Sequence, residues 1–283
     1  LLCDLPVAQL EPFAVAEDHP WPAITAPPEH HALLPARLIR RAEGRLPGLE
    51  PAAVCWSEGS TYRLRIEGNG EFSIDIVSGL IAPLSIEKHR DKVGDMARLT
   101  LGIPLHLALA AKGIFCLHAS AVAVKEGVIV FVGASGAGKS TLASFLAESN
   151  PSRWQRISDE ALPVTRGADG PLALPHFPQM SLAPSEQAGG SAAEQLPLRA
   201  IYLLSVPLES LEAAAHPMSG RAAAAALIFH TLAAGLFDEA LLQQHMAFCA
   251  GVAASIPVRE LIYPHTREAL QAVDGLLASD LRV

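Results

Sequence analysis

The sequence predicts an α/β chain in two parts: a small β-rich domain over residues 1–95, then a domain over residues 96–283 with a mixed sheet, packing helices and a phosphate-binding loop. Three patterns predict it. Tyr62, Leu64 and Ile66 alternate with polar residues, Gly68-Asn69-Gly70 supplies a turn, and Phe72, Ile74 and Ile76 resume the alternation, as a β-hairpin with one apolar face requires. Residues 114–124 and 127–132 are two nearly charge-free, β-branched runs parted by Lys125-Glu126, as expected of strands buried in a sheet. The second run leads directly into a glycine-rich octapeptide followed by apolar residues at helical spacing.

Composition supports a folded chain. Half of the 283 residues are apolar, and 21 glycines with 22 prolines stay well below the ~25–30% that marks low complexity. The net charge of -8 gives no long-range attraction to phosphate backbones or anionic lipid, so nucleic acid and membrane are excluded as partners. The longest uncharged stretches, 222–237 and 240–258, carry His230 and then Gln243, Gln244, His245 and Pro257, and neither reads as a membrane span. Cys3, Cys55, Cys116 and Cys249 form neither a CxxC pair nor a disulfide framework. They read as reduced, buried thiols, and with no basic segment ahead of an apolar one at the N-terminus the expected location is the cytoplasm.

Taken in order, residues 1–50 are rich in proline and histidine and are expected to form loops and one short helix. Residues 53–56 offer a third strand beside the hairpin. Leu105 and Leu109, with Pro104 in the first turn and Gly113 just beyond Lys112, predict a short helix. Beyond the loop, Gly167 to Gly170 reads as a hairpin or loop turn and residues 184–195, with Gly189-Gly190-Ser191, as a flexible connection. Residues 221–237 and 239–255 read as apolar helices, 258–263 as a late strand, and Thr266 as the opening of a closing helix through Leu270, Val273 and Leu277.

Gly133, Ala134, Ser135, Gly136, Ala137, Gly138, Lys139 and Ser140 match G-x-x-x-x-G-K-[ST], the Walker A loop, with the required strand before it and helix after it. Glycines let consecutive N–H groups turn toward phosphate oxygens, and the positive end of the next helix adds to them. Lys139 is placed to hold the β- and γ-phosphates of ATP, Ser140 to ligate Mg²⁺ through its hydroxyl, and Thr141 to lie at the helix N-terminus. A carboxylate near the metal is also needed. The first apolar run after the loop that ends in acid is Ile157-Ser158-Asp159-Glu160, only about one helix away. Residues 201–206 end in Pro207 without an acid, and no LSGGQ-like segment occurs, which weighs against a transporter-type ATPase. Asp159 and Glu160 thus provide one acid for the metal and one for a proton; no zinc spacing and no G-x-S-x-G elbow appears.

Four segments resemble the HPr kinase/phosphorylase-like proteins, with their phosphoenolpyruvate carboxykinase-like core: Leu117-His118-Ala119-Ser120, the loop, Ile157-Ser158-Asp159-Glu160, and Ile256-Pro257-Val258-Arg259-Glu260-Leu261 with Tyr263-Pro264. The resemblance implies His118 as active-site histidine, Asp159 as general base and Glu160 as a second acid beside metal or water. It departs from the HPr-modifying branch in lacking a Glu-Val-Arg-Gly run over residues 165–205 and in carrying Glu160 where that branch has Asp. Leu174-Pro175-His176-Phe177-Pro178-Gln179-Met180-Ser181-Leu182 and Leu196-Pro197-Leu198-Arg199-Ala200-Ile201-Tyr202-Leu203-Leu204 look instead like the shorter members tied to modified-peptide pathways, lasso-peptide precursors among their substrates. What the resemblance implies is Mg²⁺-dependent transfer of the γ-phosphate of ATP to a Ser or Thr hydroxyl of a peptide or small protein. The alternatives are an HPr serine kinase/phosphorylase, a small-metabolite kinase and a nucleotide-binding module without transfer. A homo-oligomer stays open.

Overall fold

The computed structural model describes residues 2–3, 23–24, 37–42, 53–86, 99–175, 195–205 and 212–281. The chain divides into two compact units: Leu1–Cys116 with Thr231–His245, and Leu117–His230 with Met246–Val283. The short helix expected from Pro104, within the 96–283 part, is grouped with the first unit.

The first unit carries a seven-stranded sheet. Its strands are β1 (Leu2–Cys3), β2 (Ala23–Ile24), β3 (Arg37–Ala42), β4 (Ala53–Glu58), β5 (Thr61–Ile66), β6 (Gly70–Asp75) and β7 (Leu80–Ile86), in the order β1-β2-β7-β6-β5-β4-β3. From β7 to β3 every pairing is antiparallel. The expected hairpin is β5–β6, closed by the Asn69 N–H donating to the Ile66 carbonyl at 3.0 Å. Tyr62, Leu64, Ile66, Phe72 and Ile74 are buried, as the alternation requires, while Ile76 lies past the end of β6. β4 is the third strand. Residues 37–42 are a strand where their surroundings read as loop and one short helix: β4 offers a free edge, and pairing with it overrides the local proline signal. The rest of residues 1–50 lies outside the described residues.

Helix α1 (Ile103–Ala111) begins with Pro104 in its first turn, where the missing N–H leaves no helical bond unmade. The segment from Thr231 belongs to this unit too: Tyr62 Oη donates to Asp238 Oδ2 at 2.5 Å, and the rings of Phe115 and His245 stand 5.0 Å apart.

The second unit is built on a mixed sheet. The 114–124 run is split, with β8 (Phe115–Leu117), whose first two residues are grouped with the first unit, and β9 (Ala119–Val124) separated at His118. The His118 N–H donates to the His230 carbonyl at 2.7 Å, so the residue leaves the ladder to satisfy its backbone elsewhere. β10 (Gly127–Gly133) follows, then α2 (Lys139–Ser149), β11 (Gln155–Ser158), β12 (Leu162–Arg166), β13 (Pro171–Ala173), β14 (Leu196–Ser205), β15 (Ala214–Pro217) and β16 (Val258–Ile262). β10 pairs parallel with β14 and antiparallel with β9, β9 antiparallel with β11, and β14 parallel with β16. The Gly167 to Gly170 turn joins β12 to β13, with the Gly167 N–H on the Gly170 carbonyl at 2.8 Å. Residues 176–194, which hold most of the 174–182 segment and of the expected flexible connection, lie outside the described residues.

All seven residues of β10 are buried, which explains why that run reads as continuously apolar. Phe131, Tyr202, Leu142, Leu146 and Trp154 form its core with Val273 and Leu277 of α5 (Arg267–Leu281), the closing helix, which Thr266 opens by accepting the Ala269 N–H at 3.2 Å. Trp154 Nε1 donates to Asp274 Oδ1 at 2.8 Å, so the buried indole has its partner. Helix α3 (Gly220–Phe229) stops well short of the expected 221–237, while α4 (Glu239–Ser255) keeps its expected bounds. Ala233 adopts φ 61°, incompatible with helix, and the His230 carbonyl is committed to His118. No helix among the described residues is long and apolar enough to cross a membrane. Cys55, Cys116 and Cys249 are free and buried, and burial pushes the Cys55 thiol up to about 12, so it stays protonated and unreactive.

Candidate functional site

The loop begins where β10 ends. Gly133 lies so close to β14 that a Cβ there would stand 2.9 Å from the Leu204 carbonyl oxygen, so no larger residue fits. Ala134, Ser135 and Gly136 form an exposed crest, and Ala137 turns back into the core, its N–H on the Ala134 carbonyl at 3.1 Å. Gly138 takes φ 89°, the left-handed conformation that glycine adopts without steric cost, and caps α2 without a side chain. The first amides of α2 therefore have no side-chain acceptor at the cap and no acid in their first turn, which suits an anion. Ser140 and Thr141 are exposed at that end.

Lys139 is only 6% exposed, and its Nζ donates to the carbonyls of Gly133 at 2.9 Å and Ala134 at 3.0 Å. The ammonium is thus folded back over its own loop. Burial lowers its pKa, against the opposing pull of the Asp159 charge.

Asp159 follows the end of β11 and meets the loop from the neighbouring side. Ser120 Oγ on β9, fully buried, donates to the Asp159 backbone carbonyl and lies 3.2 Å from its Oδ1; it also lies 3.5 Å from Ser140 Oγ. Arg156 Nη2 stands 2.6 Å from Asp159 Oδ2. Burial pushes the Asp159 carboxyl up, but bonds from Arg156, Ser140 and Ser120 and the Arg156 charge outweigh it and hold the group below the ordinary carboxylate range. Lys139, Ser140 and Asp159 are thereby brought together. Glu160, the next residue, is exposed, and its carboxylate acts on His118.

His118 Nδ1 lies 3.2 Å from the Glu160 backbone carbonyl. A carbonyl only accepts, so Nδ1 carries the proton and the neutral ring keeps Nε2 as an acceptor. Burial and the Lys139 charge lower its pKa, opposed by Glu160. Buried His230 feels the same lysine: burial, Lys139 and His118 push its imidazole down to about 4.

The sequence singles out neither Ser120 nor His230, and offers Arg156 only as one of four arginines, with Arg153, Arg199 and Arg221, that could steady transferred phosphate or the acceptor, without a firm role. Ser120 does leave a trace, a hydroxyl inside an otherwise apolar buried strand, whereas His230 gives none in its alanine-rich stretch. Tyr263 and His265 also reach the loop: a Cβ on Gly138 would stand 3.1 Å from Tyr263 Oη and 3.8 Å from His265 Nε2.

The donor set fits a hard, oxygen-loving cation. Among the described residues no group of three or more His, Cys, Asp and Glu side chains could hold a metal by itself. Mg²⁺ asks for less, one or two carboxylates or hydroxyls beside phosphate oxygens and water, and Ser140 with Asp159 could supply them.

No protein-family model matches the chain, and no curated protein matches its sequence. Among solved structures it is similar to the HPr(Ser) kinase/phosphatase from Coxiella burnetii, with 11% sequence identity, a TM-score of 0.33, and coverage of 58% of this chain and 89% of that one.

Proposed function

We propose that this protein is an ATP-dependent phosphotransferase that moves the γ-phosphate to a Ser or Thr hydroxyl of a peptide or small protein. The observation that carries the reading is the convergence of three elements on one loop: Lys139 and Ser140 from α2, Ser120 from β9 and Asp159 from the end of β11. The acceptor class rests on the resemblance of residues 174–182 and 196–204 to kinases of modified-peptide pathways.

In the transfer, the acceptor oxygen forms a bond to the γ-phosphorus as the bond from phosphorus to the bridging oxygen breaks. ADP leaves with that electron pair, and the hydroxyl proton passes to Asp159. A carboxylate with a lowered pKa is a weak base, but in a loose transition state the nucleophile gives up its proton late, so a weak base suffices. The loop amides and Lys139 stabilise charge on the transferred group. Ser140 with Asp159, and Glu160 next to it, would hold Mg²⁺, which would supply charge neutralisation for the phosphate oxygens. His118, neutral and oriented by the Glu160 carbonyl, borders the same space.

The test is transfer from γ-labelled ATP with Mg²⁺ into a lysate of the source organism, separated into protein, peptide and metabolite fractions, with Lys139→Ala as the blank. Label in the peptide fraction is the expected result. Label in one small protein favours an HPr-type substrate, and no label above the blank overturns the transfer reading.

A further inference from the structure

Arg156 is a charged group of the site that this reading leaves without a task. It sits where the pairing of β11 with β9 shifts register between Arg156 and Ser158. Residues three apart on a regular strand point to opposite faces, so the bulge, with the bend after Ser158, is what lets Arg156 and Asp159 meet. Their side chains are 22% and 12% exposed, and the buried Arg156 Nε has no hydrogen-bond partner. The guanidinium is therefore committed through Nη2 and carries an unsatisfied donor at Nε.

A carboxylate already neutralised by a guanidinium is a poor first ligand for a divalent cation, which meets a positive charge at the same oxygen. A phosphate group changes this. Its oxygens offer the guanidinium a partner of matching geometry and an acceptor for the unsatisfied Nε–H. Resting on the phosphate-transfer reading, we propose that Arg156 makes metal entry conditional on nucleotide: it occupies Asp159 until nucleotide phosphates draw the guanidinium away, so the cation binds with the nucleotide and not before it.

The full chain is titrated with Mn²⁺ alone, free Mn²⁺ being read by electron paramagnetic resonance, and separately with a non-hydrolysable ATP analogue in EDTA. Arg156→Gln and Arg156→Met are expected to bind Mn²⁺ alone roughly tenfold tighter than the wild type. The same variants should bind the metal-free analogue about fivefold more weakly. Arg156→Lys, which keeps the charge, should fall between wild type and the neutral variants in both. Opposite signs separate this role from structural damage, which weakens both. Mn²⁺ affinity unchanged or weakened in the neutral variants overturns the proposal. Should the wild type fail to bind the analogue even with Mg²⁺, the phosphate-transfer reading falls instead.

Discussion

The two sheets distribute charge differently. In the seven-stranded sheet Arg63 and Arg65 both reach Glu71 across the β5–β6 hairpin, and the ion pairs lie along the strands themselves. In the mixed sheet the central strand β10 is buried along its whole length and carries no charge, and the charged groups of the site, Lys139, Asp159, Arg156 and Glu160, stand at the loop after it and on or just past β11. A strand with one covered face can place a polar residue at every second position, whereas one covered on both faces, like β10, reads as a continuous apolar run and leaves charge to its ends. That difference accounts for why the chemistry sits where β9, β10 and β11 begin or stop.

The comparison breaks most sharply at Asp159. Asp159→Asn should lower transfer by at least about 10³-fold while nucleotide binding survives, as rate and equilibrium titration of the same preparation would show. In the hairpin the largest effect is on stability: Phe72 is fully buried, and Phe72→Ala should cost about 3–5 kcal/mol in denaturant unfolding.

Each unit also holds a buried neutral histidine, His245 in the first and His230 in the second, and in both burial leads in pushing the imidazole down to about 4. The unfolded chain takes up these protons near pH 6.5 and the folded chain only near 4, so stability is full above about 6.5 and falls as pH drops toward 4. The loss should reach about 2–3 kcal/mol per histidine, and His245→Gln should remove roughly half of the acid limb. The smallest effect belongs to the hairpin's ion pairs. Glu71 is buried although Arg65 is largely exposed, so Glu71→Gln should cost about 1–2 kcal/mol, and an effect as large as that of Phe72→Ala would show that the first sheet, too, depends on its charges.

The features legible in the sequence were those that local pattern dictates. Alternation around Gly68-Asn69-Gly70 marked the hairpin and its buried face, and the glycine spacing before Lys139 marked the loop with its strand and helix. What the sequence hid depends on bonds between distant segments. The break at His118 and the end of α3 at Phe229 are two sides of one event, the bond from the His118 N–H to the His230 carbonyl, and no window short enough to read contains both residues. Ser120 and Arg156 acquire their neighbours through the antiparallel pairing of β9 with β11 and its bulge, which residue spacing does not reveal.

An ammonium carries three protons, and in Lys139 two point at the carbonyls of Gly133 and Ala134. One remains. The lysine can therefore greet a single anionic oxygen without disturbing the loop, but to bridge two it must first let a carbonyl go. The loop thus competes with its own ligand for the lysine, and a lone phosphate ion and a polyphosphate chain are met by different valences of the same residue.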